Sequence, residues 1–462
     1  MELKEKKVVV IGFGKSGQAA TRLLLKQGAE VIVSESKSRE SLNENLLKSF
    51  ESQGVYFETE THKPKTLLSA DLIVVSPGVP KEVYEIALKK DIPVIGELEL
   101  AWQFLSCKDE TIAITGTNGK TTTTAMVSDL LKFSGYRVFT GGNYGIPLSE
   151  LVISEIKVDK VVLEVSSFQL ETIKTFAPKT GIIINITPDH LERYVSEEEY
   201  AYYKYCVFKN QKFKDFSILP FGEKWLEKFG YLIKGQKKFF DEKENAEASA
   251  FLRDERGFIL KLEEEEEYSF TGFKLLGRHN KLNFMIASLG ARLMGATQES
   301  IKRLVKEFTG FPHRLEYIGC FGGVYFINDS KATNVDATLQ ALKGLQAPLI
   351  LIMGGRHKGA SYASLISYIK EKVKKLILMG ESRYIIGEEL GLITDTFITE
   401  TLLQAVTLAL KLAEPGDTIL FSPACSSFDQ FKNYEERGEV FRELVFKYAP
   451  LFLKDTSKEV YH

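Results

Sequence analysis

Residues 111–123 read TIAITGTNGKTTT: an apolar run, a glycine-bordered turn, then a lysine and a string of threonines. The run Ile112 to Ile114 predicts a buried strand, and a helix is expected to begin near Thr122. Between them lie Gly116, Thr117, Asn118, Gly119, Lys120 and Thr121. Glycines there let backbone N–H groups face phosphate oxygens, and the helix start adds partial positive charge. Lys120 is suited to neutralise β and γ phosphates, and Thr121 to place its hydroxyl on Mg2+. The usual GxxxxGKS/T spacing calls for glycine at position 114, where this chain has Ile114, so the loop is a shortened variant. A chance GKT in a glycine turn has no reason to sit between a strand and a helix. ATP binding is the expectation, although a phosphate loop alone does not separate a kinase, a motor and a ligase.

Outward from this turn, short apolar runs alternate with amphipathic stretches, the pattern of parallel sheets covered by helices. Before it, strands are expected at Val8 to Ile11, Glu30 to Val33, Asp71 to Val75 and Pro93 to Ile95, with a connecting helix from Glu97 to Leu105. After it, Val161 to Val165 and Thr180 to Ile184 continue the central sheet. Residues 213–275 read as a more irregular insertion, whose acidic stretch Glu263 to Glu267 suits a solvated hairpin tip better than a metal site, since consecutive strand residues point to opposite faces. The Gly- and Pro-rich segment Phe308 to Arg314 reads as a hinge. Beyond it, Val324 to Asn328, Leu349 to Met353, Lys375 to Met379 and Thr418 to Phe421 predict a third sheet. Only the tail KDTSKEVYH has a composition unsuited to packing.

At 462 residues the chain exceeds what one core fills, and three α/β domains are expected, over 1–106, 107–310 and 311–462. A net charge of −2 gives no basis for a nucleic-acid partner. Cys107, Cys206, Cys320 and Cys425 are scattered, which fits reduced thiols rather than a disulfide framework or a metal cluster. The opening MELKEKKVVVIGFG shows no secretory signal and no run reaches membrane-spanning length, so a cytoplasmic protein without membrane insertion is expected.

Several other positions carry possible chemistry. Glu164 ends the run VVLE, where a carboxylate at the C-terminal edge of a parallel sheet faces a ligand crevice. It is placed to share Mg2+ with Thr121. Asp189 and His190 end the apolar run GIIINITPDH, and a histidine there also serves to cap the next helix. Magnesium prefers oxygen to nitrogen, which argues against histidine as a ligand on chemistry alone. Spacing marks Lys204 as an ordinary surface lysine. Gly12-Phe13-Gly14-Lys15-Ser16-Gly17 follows a strand, opens a helix and has Glu35 near the end of the next strand. Alone, that motif suggests a dinucleotide site, and with it an NAD-dependent oxidoreductase. A nucleotide-regulated binding switch is the non-catalytic alternative.

The segments GTNGKTT, GGNYG, LEVSSFQLE, NITPDHLERY, GRHNKLN, FPHRLE, NDSKATN, GGRHKG and SPACSSFDQFKNYEERG stand between residues 116 and 438. Their order and approximate spacing resemble those of the Mur ligases. GFGKSG and SPGVP near the N-terminus agree, so the resemblance covers nearly the whole chain. NDSKATN, GGRHK and SPACSSFDQF are similar to the D-glutamate-adding branch, and the DNPR signature of the tripeptide-forming branch is absent. The resemblance implies a Rossmann-like N-terminal domain for the UDP end of the substrate, a central P-loop ATPase-like parallel sheet with helices, and a C-terminal Rossmann-like α/β domain for the amino acid. It also implies that ATP, with Mg2+, phosphorylates UDP-N-acetylmuramoyl-L-alanine to an acyl phosphate that D-glutamate captures, in peptidoglycan precursor synthesis. A monomer is expected.

Carried over by position, the resemblance makes Lys120, His190 and Lys204 the catalytic set, with Lys204 carbamylated by CO2. Thr121, Glu164, His190 and Lys204 become the metal set, the carbamate supplying oxygens that a lysine lacks. Gly116 to Thr122, Asn283, His313, Arg314 and Asp329 become the nucleotide set, with Asp329 on the ribose, Arg314 on the phosphates and Lys331 near them. Asn143 resembles a muramoyl contact. Thr333, Lys358, Ser427, Phe428 and Tyr434 match positions for D-glutamate, and Gly14, Lys15, Ser16, Glu35 and Lys37 those for UDP. Relatives often carry Asp and Arg near the uracil where this chain has Glu35 and Lys37, and Phe where it has Tyr434. Lysine lacks arginine's planar fork, so the uridine contacts differ in kind.

Overall fold

Each predicted apolar run forms a strand in the computed structural model, which describes residues 1–453 other than 191, 192, 255, 276 and 358. Lys358 and the tail from Lys454 lie outside the described residues. The strands make three sheets.

The first sheet is all parallel, in the order Tyr56–Glu58, Glu30–Ser34, Lys7–Ile11, Leu72–Val75, Val94–Gly96. Val8, Val9, Val10 and Ile11 are fully buried because helices cover both faces of this central strand. Each such side chain contributes roughly 1.5–3 kcal/mol by leaving water. Helix Lys15–Lys26 starts directly after the glycine turn. Its close approach requires Gly17, where a Cβ would lie 2.0 Å from the carbonyl oxygen of Gly12.

The central sheet runs Val138–Gly142, Lys160–Glu164, Thr111–Thr115, Thr180–Ile183, Phe216–Pro220, Gln236–Asp241, Ala250–Asp254, Gly257–Lys261, Glu265–Ser269. The first seven strands are parallel and the last two antiparallel. The stretch expected to be irregular therefore extends the sheet, with a single register shift between Leu252 and Asp254. The acidic stretch also differs from a wholly solvated tip. Strand alternation exposes Glu265 and Glu267 but buries Glu266, which accepts hydrogen bonds from Arg292 (3.0 Å), Gln298 (3.0 Å) and Tyr268 (2.5 Å).

The third sheet runs Glu316–Phe321, Val324–Asn328, Thr418–Phe421, Leu349–Gly354, Val373–Met379, Asp395–Ile398, antiparallel only in its first pair. The chain packs into two compact units, residues 1–271 with 282–306, and residues 272–281 with 307–462. The expected hinge thus falls just after the crossing at 306/307.

Helix Glu97–Phe104 joins the first two sheets within the first unit and carries two buried glutamates. Glu97 accepts the Ser149 amide at 2.7 Å. Glu99 accepts the consecutive amides of Lys174 (2.9 Å), Thr175 (3.0 Å) and Phe176 (3.0 Å). Four backbone amides held by two buried carboxyl groups make this linker a packed element and not a free tether.

Candidate active site

The phosphate loop follows strand Thr111–Thr115 and opens helix Lys120–Phe133, with Gly119 at φ 84° as N-cap and no side chain capping the helix. A helix start of this kind, without a side-chain cap, suits an anion. Gly116, at φ 152°, is pressed against Ile184 and Asn185, and a Cβ on Gly119 would lie 2.6 Å from Asn283 Oδ1. Asn283, predicted on the nucleotide side, therefore packs onto the loop. Asn185 holds it from the other side. Its Oδ1 accepts the amides of Thr117 (3.1 Å) and Asn118 (2.9 Å), and its Nδ2 donates to the Asn118 carbonyl at 3.2 Å. Thr117 Oγ1 also lies 3.3 Å from the Tyr200 hydroxyl.

Lys120 curls back over its own loop, donating to the carbonyls of Gly116 (2.7 Å) and Thr117 (2.8 Å). Lys204 donates to the same Gly116 carbonyl at 2.8 Å, with its Nζ 4.4 Å from the centre of the Tyr200 ring. It is 1% exposed, so the surface role suggested by spacing does not hold. Helix Glu197–Tyr205 carries Tyr200 and Lys204 one turn apart on one face, and that face packs inward. Burial, reinforced by the nearby Lys120 charge, pushes the Lys204 amine well below the usual lysine range against the opposing pull of Asp189.

Glu164, 3% exposed, ends its strand beside the strand that feeds the loop. Its Oε1 accepts from Asn143 Nδ2 at 2.7 Å, while its Oε2 is buried without a hydrogen-bond partner. The Thr115 hydroxyl is likewise buried and unpartnered. Carboxylate and hydroxyl oxygens are hard donors that suit Mg2+, and an orphaned buried carboxylate oxygen fits a cation there. Among the described residues no group of three or more His, Cys, Asp or Glu forms a metal cluster. His190 sits at φ 54°, its Nε2 3.6 Å from Asp189 Oδ2 and its ring 4.8 Å from Phe168 and 6.2 Å from Tyr200. Asn143, Glu164, His190, Lys204, Asn283 and the loop are thus all in the first unit.

In the N-terminal glycine turn, Gly14, Lys15 and Lys37 are exposed and Ser16 is half-buried. Glu35 turns inward, accepting the amides of Phe13 (2.7 Å) and Lys37 (3.1 Å). Burial raises its pKa, but those amides together with the Ser36 hydroxyl and the Lys37 charge outweigh it, and the carboxyl stays below its ordinary value. Glu35 therefore shapes the turn itself.

The second unit gathers the remaining predicted residues. Asp329, at the end of its strand, accepts the Leu315 amide (3.1 Å) and the Ser422 hydroxyl (2.8 Å). Burial pushes it up to about 7, against the pull of those hydrogen bonds and of Arg314 and Arg437. His313 is buried at φ 64°, its pKa lowered by burial, its Nδ1 3.0 Å from Asn328 Nδ2. Arg314 Nη1 is buried without a hydrogen-bond partner. Lys331 donates to the Tyr434 hydroxyl at 3.3 Å, bringing two predicted ligand residues together. Thr333 is half-buried, Ser427 is buried and Phe428 is exposed.

Arg437 is a residue that sequence reasoning missed. Fully buried, it donates to Ser330 Oγ (3.0 Å), the Ser330 carbonyl (2.7 Å) and the Cys425 carbonyl (3.0 Å). It joins the SKATN loop, the SPACSS loop and helix Tyr434–Phe452, and an arginine in an amphipathic pattern gives no sign of this. Asn185 and Tyr200 were also missed, although the four-residue spacing of Tyr200 and Lys204 on one helix was a usable signal.

A phosphate loop backed by a buried amine and a strand-end carboxylate, with a further α/β unit following, defines an α/β protein with a nucleotide-type phosphate site. The chain matches the MurD-like N-terminal domain of Mur ligases over residues 6–96, the Mur ligase middle domain over 114–291 and the Mur ligase glutamate ligase domain over 313–425. It is 41% identical over 449 residues to a UDP-N-acetylmuramoylalanine–D-glutamate ligase of Citrifermentans bemidjiense, covering 96% of this chain and 98% of that one. The same-named protein of Geotalea daltonii is 42% identical over 449 residues, with coverage of 96% and 98%. The chain belongs to the Mur ligase family, ATP-dependent enzymes of peptidoglycan precursor synthesis. Among solved structures, MurF of Thermotoga maritima in complex with ADP shares the fold at TM-score 0.58 and 18% identity, covering 96% of each chain. The UDP-N-acetylmuramate–alanine ligase MurC of Thermotoga maritima does so at 0.56 and 20%, covering 96% of this chain and 100% of that one.

Proposed function

We propose that this chain joins D-glutamate to UDP-N-acetylmuramoyl-L-alanine through an acyl phosphate, releasing ADP and phosphate. The observation that carries the reading is the pairing of Lys120 with the buried Lys204 on one carbonyl of the phosphate loop, beside a strand-end glutamate with an unpartnered oxygen. A carboxylate is a poor acyl donor until its oxygen becomes a good leaving group, and transfer of the γ-phosphoryl group supplies that. Phosphoryl transfer is chiefly positioning and charge neutralisation. The loop amides and Lys120 provide both for ATP.

Thr121 and Glu164 are the residues that would hold Mg2+, which supplies charge neutralisation at the phosphates when bound. Burial disfavours the charged form of Lys204, and an uncharged amine is the nucleophilic form that takes up CO2. The resulting carbamate would add oxygen donors alongside His190. Gly14, Lys15, Ser16 and Lys37 are assigned to the UDP end, with Glu35 setting the shape of their turn. Asn143 is assigned to the muramoyl end. His313, Arg314, Asp329 and Lys331 are assigned to the nucleotide, and Thr333, Lys358, Ser427, Phe428 and Tyr434 to D-glutamate, with Lys358 pairing a substrate carboxylate.

Among the described residues no helix is long and apolar enough to cross a membrane. We take the enzyme to act as a cytoplasmic monomer, with working domain limits of 1–106, 107–310 and 311–462. The test is a coupled phosphate assay with UDP-N-acetylmuramoyl-L-alanine and a panel of amino acids, followed by the mass of the product. Phosphate release that requires both the nucleotide sugar and D-glutamate is expected. Release without an amino acid, or preference for another one, overturns the reading.

A further inference from the structure

Glu171, at the end of the short helix Ser167–Leu170, has no role in the site described above. It is nonetheless the centre of a side-chain network that ends on His190. Its Oε1 accepts from Arg193 Nε at 3.0 Å and from the Tyr194 hydroxyl at 2.7 Å, and its Oε2 accepts from Arg193 Nη2 at 2.7 Å. The pair is mostly shielded, with side chains 11% and 19% exposed, so this two-pronged contact is not an ordinary surface ion pair.

What it grips matters more than its own strength. The amides of Arg193 (3.0 Å) and Tyr194 (3.1 Å) both donate to the carbonyl of His190, whose left-handed φ of 54° is costly for a residue with a side chain. The Arg193 guanidinium lies 4.6 Å over the Phe168 ring, Tyr194 stacks on the same ring at 5.9 Å, and that ring meets the His190 imidazole edge-on at 4.8 Å. His190 is therefore braced through its backbone by two residues and through its ring by a third. The side chains of the first two end on one carboxylate. Tyr200, whose hydroxyl lies 3.3 Å from Thr117 Oγ1 of the phosphate loop, has its ring 6.2 Å from the imidazole.

We propose that Glu171 is a positioning residue for the ligation reaction: by holding Arg193 and Tyr194 together it fixes His190 beside Tyr200, whose hydroxyl reaches the phosphate loop. This rests on the role given to His190 under the proposed function. The carboxylate is required because three donors converge on it. Glutamine has the same shape, but its NH2 would confront a guanidinium N–H and the fork would break.

The test uses the full chain carrying Glu171→Gln, with Arg193→Lys as a second variant that keeps charge but not the planar fork. Loss of a supporting contact of this kind costs activity by ~10–100-fold. The expected result is a fall of that size in kcat with the KM for ATP largely unchanged, because no contact of Glu171 reaches the loop directly. NMR of ring-labelled histidine supplies a readout that a general loss of structure would not give. The His190 signal, identified by its absence in His190→Ala, moves while those of the other five histidines stay in place. If either the selective shift or the fall in kcat is missing in a variant that folds, the proposal is overturned; so it is if all six signals move together. If His190→Ala keeps wild-type kcat, the reading of His190 fails and the proposal falls with it, whereas a loss of kcat in His190→Ala with none in Glu171→Gln overturns the proposal alone.

Discussion

Asp329→Asn tests whether a buried carboxyl in the second unit keeps its proton from the ordinary aspartate range up to about pH 7. Burial pushes this group up to about 7, and its oxygens face the Leu315 amide and the Ser422 hydroxyl. In the unfolded chain an aspartate titrates near ~3.9, a difference of ~3 units at ~1.4 kcal/mol each, or ~4 kcal/mol in all. The folded protein keeps a proton that the unfolded chain releases. The contribution is therefore complete below pH ~4 and is lost as pH rises through about 7. Between pH ~5 and ~7 the wild type should lose ~1.4 kcal/mol per pH unit relative to the asparagine variant, which has the same shape and no charge to gain. Both tryptophans, Trp102 and Trp225, belong to the first unit, so fluorescence does not report on this one. Urea titration read by hydrogen exchange of peptides from the second unit does. Other groups, His313 among them, titrate in both proteins and cancel in the difference. A wild-type-minus-variant difference that stays flat across this range, or that rises with pH, refutes the reasoning.

Asn185→Ala removes the side chain that accepts two phosphate-loop amides, and at about 1 kcal/mol per hydrogen bond the KM for ATP should rise about five- to thirtyfold in steady-state kinetics. An unchanged KM would mean that the loop holds its shape unaided. Lys204→Ala should lose most ligase activity and regain part of it with added short-chain carboxylates; full activity without them contradicts the carbamate. Gly17→Ala places a Cβ 2.0 Å from the Gly12 carbonyl oxygen, backbone that cannot step aside. Overpacking of this kind costs ~1–3 kcal/mol, so thermal unfolding should come earlier and the KM for the UDP substrate should rise. A variant with wild-type melting and KM would show that the turn and helix are not in close contact.

The parallel sheets, the phosphate loop and the order of the domains were legible in the chain because their signals are local. Runs such as VVVI and ILIM read as strands buried on both faces, and a glycine turn between a strand and a helix presents backbone N–H groups suited to phosphate. The character of single polar residues was not legible, because burial belongs to the tertiary structure. Lys204 carries the spacing of a surface lysine and becomes an interior amine only because the face it shares with Tyr200 closes over the loop. Glu266 looked like one of five solvated acids until pairing of strand Glu265–Ser269 turned it toward Arg292. Glu35, expected at the UDP end, also accepts two amides of the turn beside it, contacts that spacing does not record. Arg437 and Glu171 gather partners from distant loops or turns, and no periodicity records which carbonyls or side chains a folded chain will bring within 3 Å of a charge.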